Sequence, residues 1–348
     1  MDEEGLWTRG YRVAISNQHS AISIQQSAFS NQHSAISIQQ SAFSNQQSAI
    51  SNQGFGGNMP IWKRLLLGLY CHGSYPLRWW NHRCAAAEGR AAVIVLFYHR
   101  IADDRASDWT LSHRMFVRQM RWLRAHFELV SLAEARRRIL CGENHRPCVS
   151  ITFDDGYADN CRRAIPLLVQ QGIPCTYFVT LQNVLRGQPF AHDLARGKPL
   201  APNTVEQLRG MAAAGIEIGA HSYTHPDLAR ITDRRTLHRE VVAAGQDLGQ
   251  VVGRPVRYFA FPFGQRAHLS REAFEMARQA GYEAVCSAYG GYNFPGGDAF
   301  HLQRVAADQQ MIRLKNWTTI DPRKVGTPRF VYERTPPAGT GLQPSHAP

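Results

Sequence analysis

From residue 93 onward, short apolar and β-branched runs alternate with longer stretches in which apolar residues recur every three or four positions. The first kind predicts strands over 93–99, 149–154, 176–180, 216–222, 258–262 and 283–288, with a last extended piece at 302–306. The second kind predicts helices over 112–127, 131–140, 160–171, 204–214, 234–252 and 271–280. Serines open two of these, and Gly172, Gly215 and Gly281 close three, as helix signals require. A polar loop rich in Gly and Pro separates 180 from 204. Alternation sustained over this length predicts an α/β protein whose parallel sheet is closed or nearly closed into a barrel.

The pattern fails at both ends. Residues 17–53 repeat a 14-residue unit almost without variation, from Asn17–Ser30 to Asn31–Ser44 and again from Asn45. Ser and Gln dominate it, leaving too few apolar positions for a coiled-coil seam or a solenoid core. Residues 1–58 are therefore expected to be a low-complexity, disordered tract, or a translated tandem repeat ahead of a true start at Met59. Residues 59–90 form a basic and then apolar segment whose apolar core is far shorter than the roughly 20 residues that span a bilayer. No small-residue cleavage site follows, so neither a signal peptide nor a transmembrane helix is expected there. An interfacial helix and ordinary packing remain equal readings. From Asp321 to Pro348 Pro, Gly and Ser increase, and a disordered tail is expected.

Composition changes this picture little. The formal net charge of +12 suggests anionic surroundings without choosing between a membrane surface, an acidic glycan and nucleic acid. No nucleic-acid module with interleaved aromatics accompanies it. Seven widely spaced cysteines contain no C-x-x-C pair, which argues against a disulfide framework and a cysteine metal site, and mildly favours a reducing compartment.

The chemistry concentrates where two strands run out. At 149–157 an apolar run stops at Asp154-Asp155-Gly156-Tyr157. Two adjacent carboxylates repel unless a cation or a shared proton sits between them, so one is expected to bind a metal while the other acts as a base. At 218–226 the strand end carries His221 and His225, which reach one point if the residues between them form a helical turn. Two imidazoles and a carboxylate make the N2O set of catalytic zinc sites.

The succession Thr152-Phe153-Asp154-Asp155-Gly156-Tyr157, then His221-x-x-x-His225, then Phe259-Ala260-Phe261-Pro262-Phe263-Gly264, resembles the polysaccharide deacetylase family (NodB homology, carbohydrate esterase family 4). The resemblance covers about residues 91–310 and implies a deformed (β/α) barrel of about seven strands that removes N-acetyl groups from glycans with a divalent metal, zinc the first choice. It implies Asp155, His221 and His225 as metal ligands, Asp154 as base, and the amide of Tyr157 as oxyanion donor. Two departures stand out. The arginine that orients the base in many members is replaced by Ala260, with Arg266 and Arg304 as candidate substitutes. No leucine-x-histidine motif follows 283–288, since His301 precedes Leu302. The third motif and Phe97-Tyr98-His99-Arg100 resemble the poly-N-acetylglucosamine deacetylase branch, in which the acid histidine comes first in the chain; His99 is then the expected general acid. The expected partner is an acetylated glycan or a lipid-linked saccharide, met in the cytoplasm or at the inner membrane face with peripheral membrane contact. An O-acetyl esterase or other amidase on the same barrel, and a glycan-binding protein without catalysis, are the alternatives.

Overall fold

A computed structural model of the chain describes residues 61–332. The expectations for the repeat at 17–53, for a start at Met59 and for residues 333–348 fall outside the described residues.

The apolar runs form one parallel sheet. Its strands are β1 (Val93–Tyr98), β2 (Glu128–Val130), β3 (Cys148–Phe153), β4 (Cys175–Val179), β5 (Glu217–Ala220), β6 (Tyr258–Ala260), β7 (Ala284–Cys286), β8 (His301–Leu302) and β9 (Val305–Ala306). They lie in the order β8-β7-β6-β5-β4-β3-β1-β9, with β2 beside the first half of β3. Because β8 and β9 are the two ends of one short segment, residues 301–306 bond β7 at their start and β1 at their end. The sheet edges meet there, and this gives the deformed barrel that the sequence pattern predicts.

A side-chain period of two sorts each strand into an outer and an inner face. Ile94, Leu96 and Tyr98 of β1 join the large core under the helices, whereas Val93 and Val95 join an inner cluster with Phe178, Tyr258, Ala260, Ala284, Cys286 and Leu302. Gly219 of β5 faces that interior: a Cβ there would lie 2.5 Å from the Phe178 ring, so only glycine lets this phenylalanine fill the barrel.

Side chains cap the helices, including the two that the sequence opens with serine. Ser112, Ser131 and Ser270 cap His113–His126, Leu132–Leu140 and Arg271–Gln279, and Thr204 with Gln207 forms a capping box on Val205–Ala213. The helix expected over 160–171 is divided. A 3-10 turn at Ala158–Arg162 ends at Arg163, and an α-helix begins at Ala164, because Pro166 is tolerated only in a first turn. The expected loop at 181–203 holds two short helices, Leu181–Arg186 and Ala191–Leu194. The tail expected to lose structure from Asp321 instead packs as far as residue 332. Pro322–Val325 is a helical turn, and Phe330 and Tyr332 stack on Phe274. Before β1 runs a 27-residue helix, Ile61–Ala87 (α1).

Candidate active site

Both acidic and histidine stretches emerge from the C-terminal ends of strands one apart in the sheet, where a parallel barrel collects its chemistry. Asp154 and Asp155 follow β3, and His221 and His225 follow β5, with β4 between them. The two adjacent carboxylates face different partners, which removes the repulsion expected of them. Asp154 continues the inward face of β3 below Thr152, and both meet Arg304. After it, Asp155 (φ 72°) and Gly156 (φ 100°) turn the chain sharply, and the Asp155 carboxylate points at the histidines.

The Nε2 atoms of His221 and His225 lie 3.4 Å and 3.3 Å from Asp155 Oδ1, and the donor atoms of the three residues all fall within 4.8 Å of one another. Nδ1 of His221 is 2.8 Å from the Ala260 carbonyl, which can only accept, so the ring proton sits there. In the neutral ring Nε2 then turns a lone pair toward a carboxylate oxygen. Two such groups facing each other at this distance fit a cation between them, and a ring nitrogen anchored to a carbonyl is the usual support of a ligating histidine. Asp155, His221 and His225 thus have the donor set for a divalent metal.

The turn between the histidines is not helical, contrary to the expectation. Ser222 (φ 63°) and His225 (φ 62°) adopt left-handed dihedrals, and the His225 amide donates to Ser222 Oγ at 2.8 Å. Buried Glu240 fixes the bend by accepting from the amides of Tyr223 and Thr224 and from the Thr224 hydroxyl. Glu240 sits in a π-helical turn, Arg239–Ala243, between two α-helical stretches of the predicted 234–252 helix. Such bulges often mark functional positions. Nothing in the sequence singles out this glutamate.

Of Arg266 and Arg304, the candidates weighed against Ala260, Arg304 is the one that meets Asp154. It is fully buried on the segment that closes the barrel, and its guanidinium clamps Asp154 bidentately, Nη1 to Oδ1 at 2.6 Å and Nη2 to Oδ2 at 2.8 Å. Its Nε donates to the Ser287 carbonyl, and it lies over the Phe97 and Phe178 rings. Arg266 is exposed and donates to the Pro328 carbonyl. Burial pushes the Asp154 carboxyl up, but Arg304 together with His221 outweighs it and holds the group below its usual range.

His99 follows β1 on the same rim, half-buried, against the Trp109 ring at 4.7 Å. Burial lowers its pKa, the charges of Asp155 and Asp154 oppose that, and the net direction is down. His301 lies elsewhere. It is buried among Phe274, Tyr289 and Tyr332, with Nε2 on Ser287 Oγ.

The Tyr157 amide donates to no group among the described residues, while its neighbours are engaged: the Ala158 amide with Ala201 O, and the Gly156 carbonyl with the Asn203 amide. The buried Tyr157 ring is pinned at its far end, where the hydroxyl donates to Asp193 Oδ2 at 2.9 Å and lies 2.8 Å from His192 Nε2. Burial, aided by Asp155, pushes Asp193 up to about 7. This lock from Ala191–Leu194 is a second feature without a sequence signal.

The polysaccharide deacetylase family model matches residues 142–285. YxkH of Bacillus subtilis (strain 168), a protein assigned to the polysaccharide deacetylases, is 26% identical over 200 residues, 56% of this chain and 64% of that protein. A chitooligosaccharide deacetylase of Bradyrhizobium sp. (strain ANU 289) is 30% identical over 139 residues, 39% of this chain and 54% of that protein. The chain therefore spans between about half and two thirds of these relatives. Among solved structures, IcaB from Ammonifex degensii superposes with a TM-score of 0.54 at 26% identity, covering 66% of this chain and 97% of that one. The Streptococcus pyogenes deacetylase PplD, solved with acetate, shares the fold with a TM-score of 0.57 at 19% identity, covering 67% and 100%.

Proposed function

We propose that this chain, which belongs to the polysaccharide deacetylase family, is a metal-dependent hydrolase that removes N-acetyl groups from N-acetylglucosamine-type glycans. The observation that carries this reading is the meeting, on one barrel rim, of a three-residue metal set with a carboxylate held ionised by a buried arginine. An amide resists hydrolysis unless its carbonyl is polarised, water is activated and the leaving amine is protonated. Asp155, His221 and His225 would hold a divalent ion, most simply zinc, which supplies Lewis-acid polarisation and makes water more acidic.

The chain's own groups do the rest. Asp154, fixed and kept anionic by Arg304, takes the proton of the attacking water. The free Tyr157 amide, presented by the turn at Gly156 and steadied through Asp193, donates to the oxygen that gains charge as the carbonyl becomes tetrahedral. His99 gives a proton to the departing amine, the general-acid role that an imidazolium on this rim can fill. The likeness to IcaB supports the poly-N-acetylglucosamine branch, together with a barrel whose base-holding arginine comes from residue 304 instead of position 260.

Acetate release by the zinc-loaded protein from N-acetylglucosamine oligomers, beside an O-acetylated glycan, tests the reading, with mass spectrometry of the products. Loss of 42 Da per residue from the oligomers, abolished by a chelator, is expected. Release from the O-acetylated glycan alone would make the protein an esterase, and binding without release would make it a lectin-like member of the family.

A further inference from the structure

We infer that the outer face of α1 docks this protein on an anionic lipid surface. Over half of the large apolar side chains exposed among the described residues belong to this one helix. Trp62, Leu65, Leu66, Leu69, Leu77 and Trp80 are each 56–71% exposed. At 100° per residue these six positions fall in one sector about 120° wide, so they form a continuous stripe along the helix.

The stripe is not an unfinished core. The opposite face of α1 is already committed: Cys71, Arg78, His82 and Ala86 are buried. Arg78 donates to the Asn316 carbonyl and the Thr319 hydroxyl, Tyr70 donates to Asp321, and Trp79 packs edge-on against Phe127. The helix is thus seated on the domain by one face and turns the other outward.

Charge identifies the occupant. The 27 residues of α1 include no Asp or Glu, and of its basic residues Arg83 is exposed at the edge of the apolar sector while Arg78 is buried in the seated face. Arg323, ion-paired with Asp321, lies over the Tyr70 ring at 4.9 Å, and the chain as a whole carries +12. A second copy would bring together two chains of net charge +12 with no acidic residue on α1 to offset it, whereas anionic headgroups complement that charge. Tryptophan at both ends of a leucine stripe, with basic residues and no acidic ones, is the composition of a helix that lies in the headgroup region. No helix among the described residues is long and apolar enough to cross a membrane, so the contact is peripheral.

Sedimentation of the full-length, zinc-loaded chain with vesicles tests this. Pelleting with phosphatidylglycerol–phosphatidylcholine vesicles, weakened by salt, little binding to phosphatidylcholine alone, and a blue shift of tryptophan emission are expected. Leu65→Gln combined with Leu69→Gln should reduce vesicle partitioning at least about tenfold, with the thermal midpoint and the hydrolysis of soluble oligomers unchanged. Because docking is read separately from hydrolysis, failure of one does not imply failure of the other. Vesicle binding that the double variant retains, absence of binding to anionic vesicles, or a dimer in solution that the same substitutions dissociate would each overturn the inference.

Discussion

Two regions of this barrel hold a buried histidine among aromatic rings beside a hydroxyl or carboxyl group, and they have opposite meanings. On the rim, His221 fixes its Nδ1 proton on a carbonyl and turns Nε2 toward Asp155, with His225 converging on the same oxygen. At the barrel seam, His301 bonds Ser287 through Nε2, and its Nδ1 has no partner among the described residues. Phe274, Tyr289 and Tyr332 surround it, and burial pushes it down to about 4. Burial alone therefore does not mark a site. What marks the rim is convergence of lone pairs with charge, on a backbone bent into unfavourable dihedrals: of six positive-φ residues other than glycine among the described residues, Asp155, Ser222, His225 and Phe263 cluster here.

The comparison is broken most directly at the metal set. His221→Ala should abolish metal retention and reduce turnover to background. Elemental analysis after gel filtration checks it, and stoichiometric metal in the variant would remove His221 from the ligand set.

Next in size are Asp154→Asn and His99→Ala, each expected to lower kcat by about 10²–10⁴ with metal content intact. They separate in the pH–rate profile. A base works only when ionised, so activity falls as pH drops through the depressed pKa of Asp154, and the asparagine loses this acid limb. An acid works only when protonated, so activity falls as pH rises through the lowered pKa of His99, and the alanine loses that alkaline limb. A normal profile in either variant refutes its assignment.

Arg304→Lys keeps the charge and loses the bidentate fork. A decrease in kcat worth about 1–3 kcal/mol is expected, with the acid limb moved to higher pH as Asp154 loses part of its stabilisation. An unmoved limb would make Arg304 a packing residue. Glu240→Gln should weaken metal affinity about tenfold while leaving kcat of the metal-saturated enzyme near normal, as read by competition with a chromogenic chelator.

The smallest kinetic effect is reserved for the seam. His301→Gln should leave kcat unchanged but flatten the pH dependence of stability. A histidine whose folded pKa is depressed lets the unfolded chain bind protons preferentially, so its stabilisation is complete above about 6.5 and is lost as pH falls toward 4. The wild type should lose up to about 3 kcal/mol across that window that the variant does not lose, measured by urea unfolding. Impaired kcat in this variant would instead draw His301 into the mechanism.

Much of the molecule was legible in local pattern. Apolar runs located the strands of the barrel wall, apolar spacing with opening serines and closing glycines located the helices, and an Asp-Asp-Gly turn with a histidine pair located the rim, because each is encoded within a few consecutive residues. The strand β2 and the helices at 181–194 were missed, being too short for any period to register. What tertiary structure alone decided is how the rim is completed. Arg304 reaches Asp154 across 150 residues, Glu240 braces the histidine turn from a π-bulge, and Asp193 pins Tyr157 from a four-residue helix. His99 and Arg304 both lie outside the family match at 142–285: His99 follows β1, which pairs β3 along its length, and Arg304 arrives on residues 301–306, which close the sheet onto β1. Local periodicity carries no information on which distant strand will be a neighbour; that follows from closing a twisted parallel sheet on itself, which sets facing side chains together regardless of their separation in the chain.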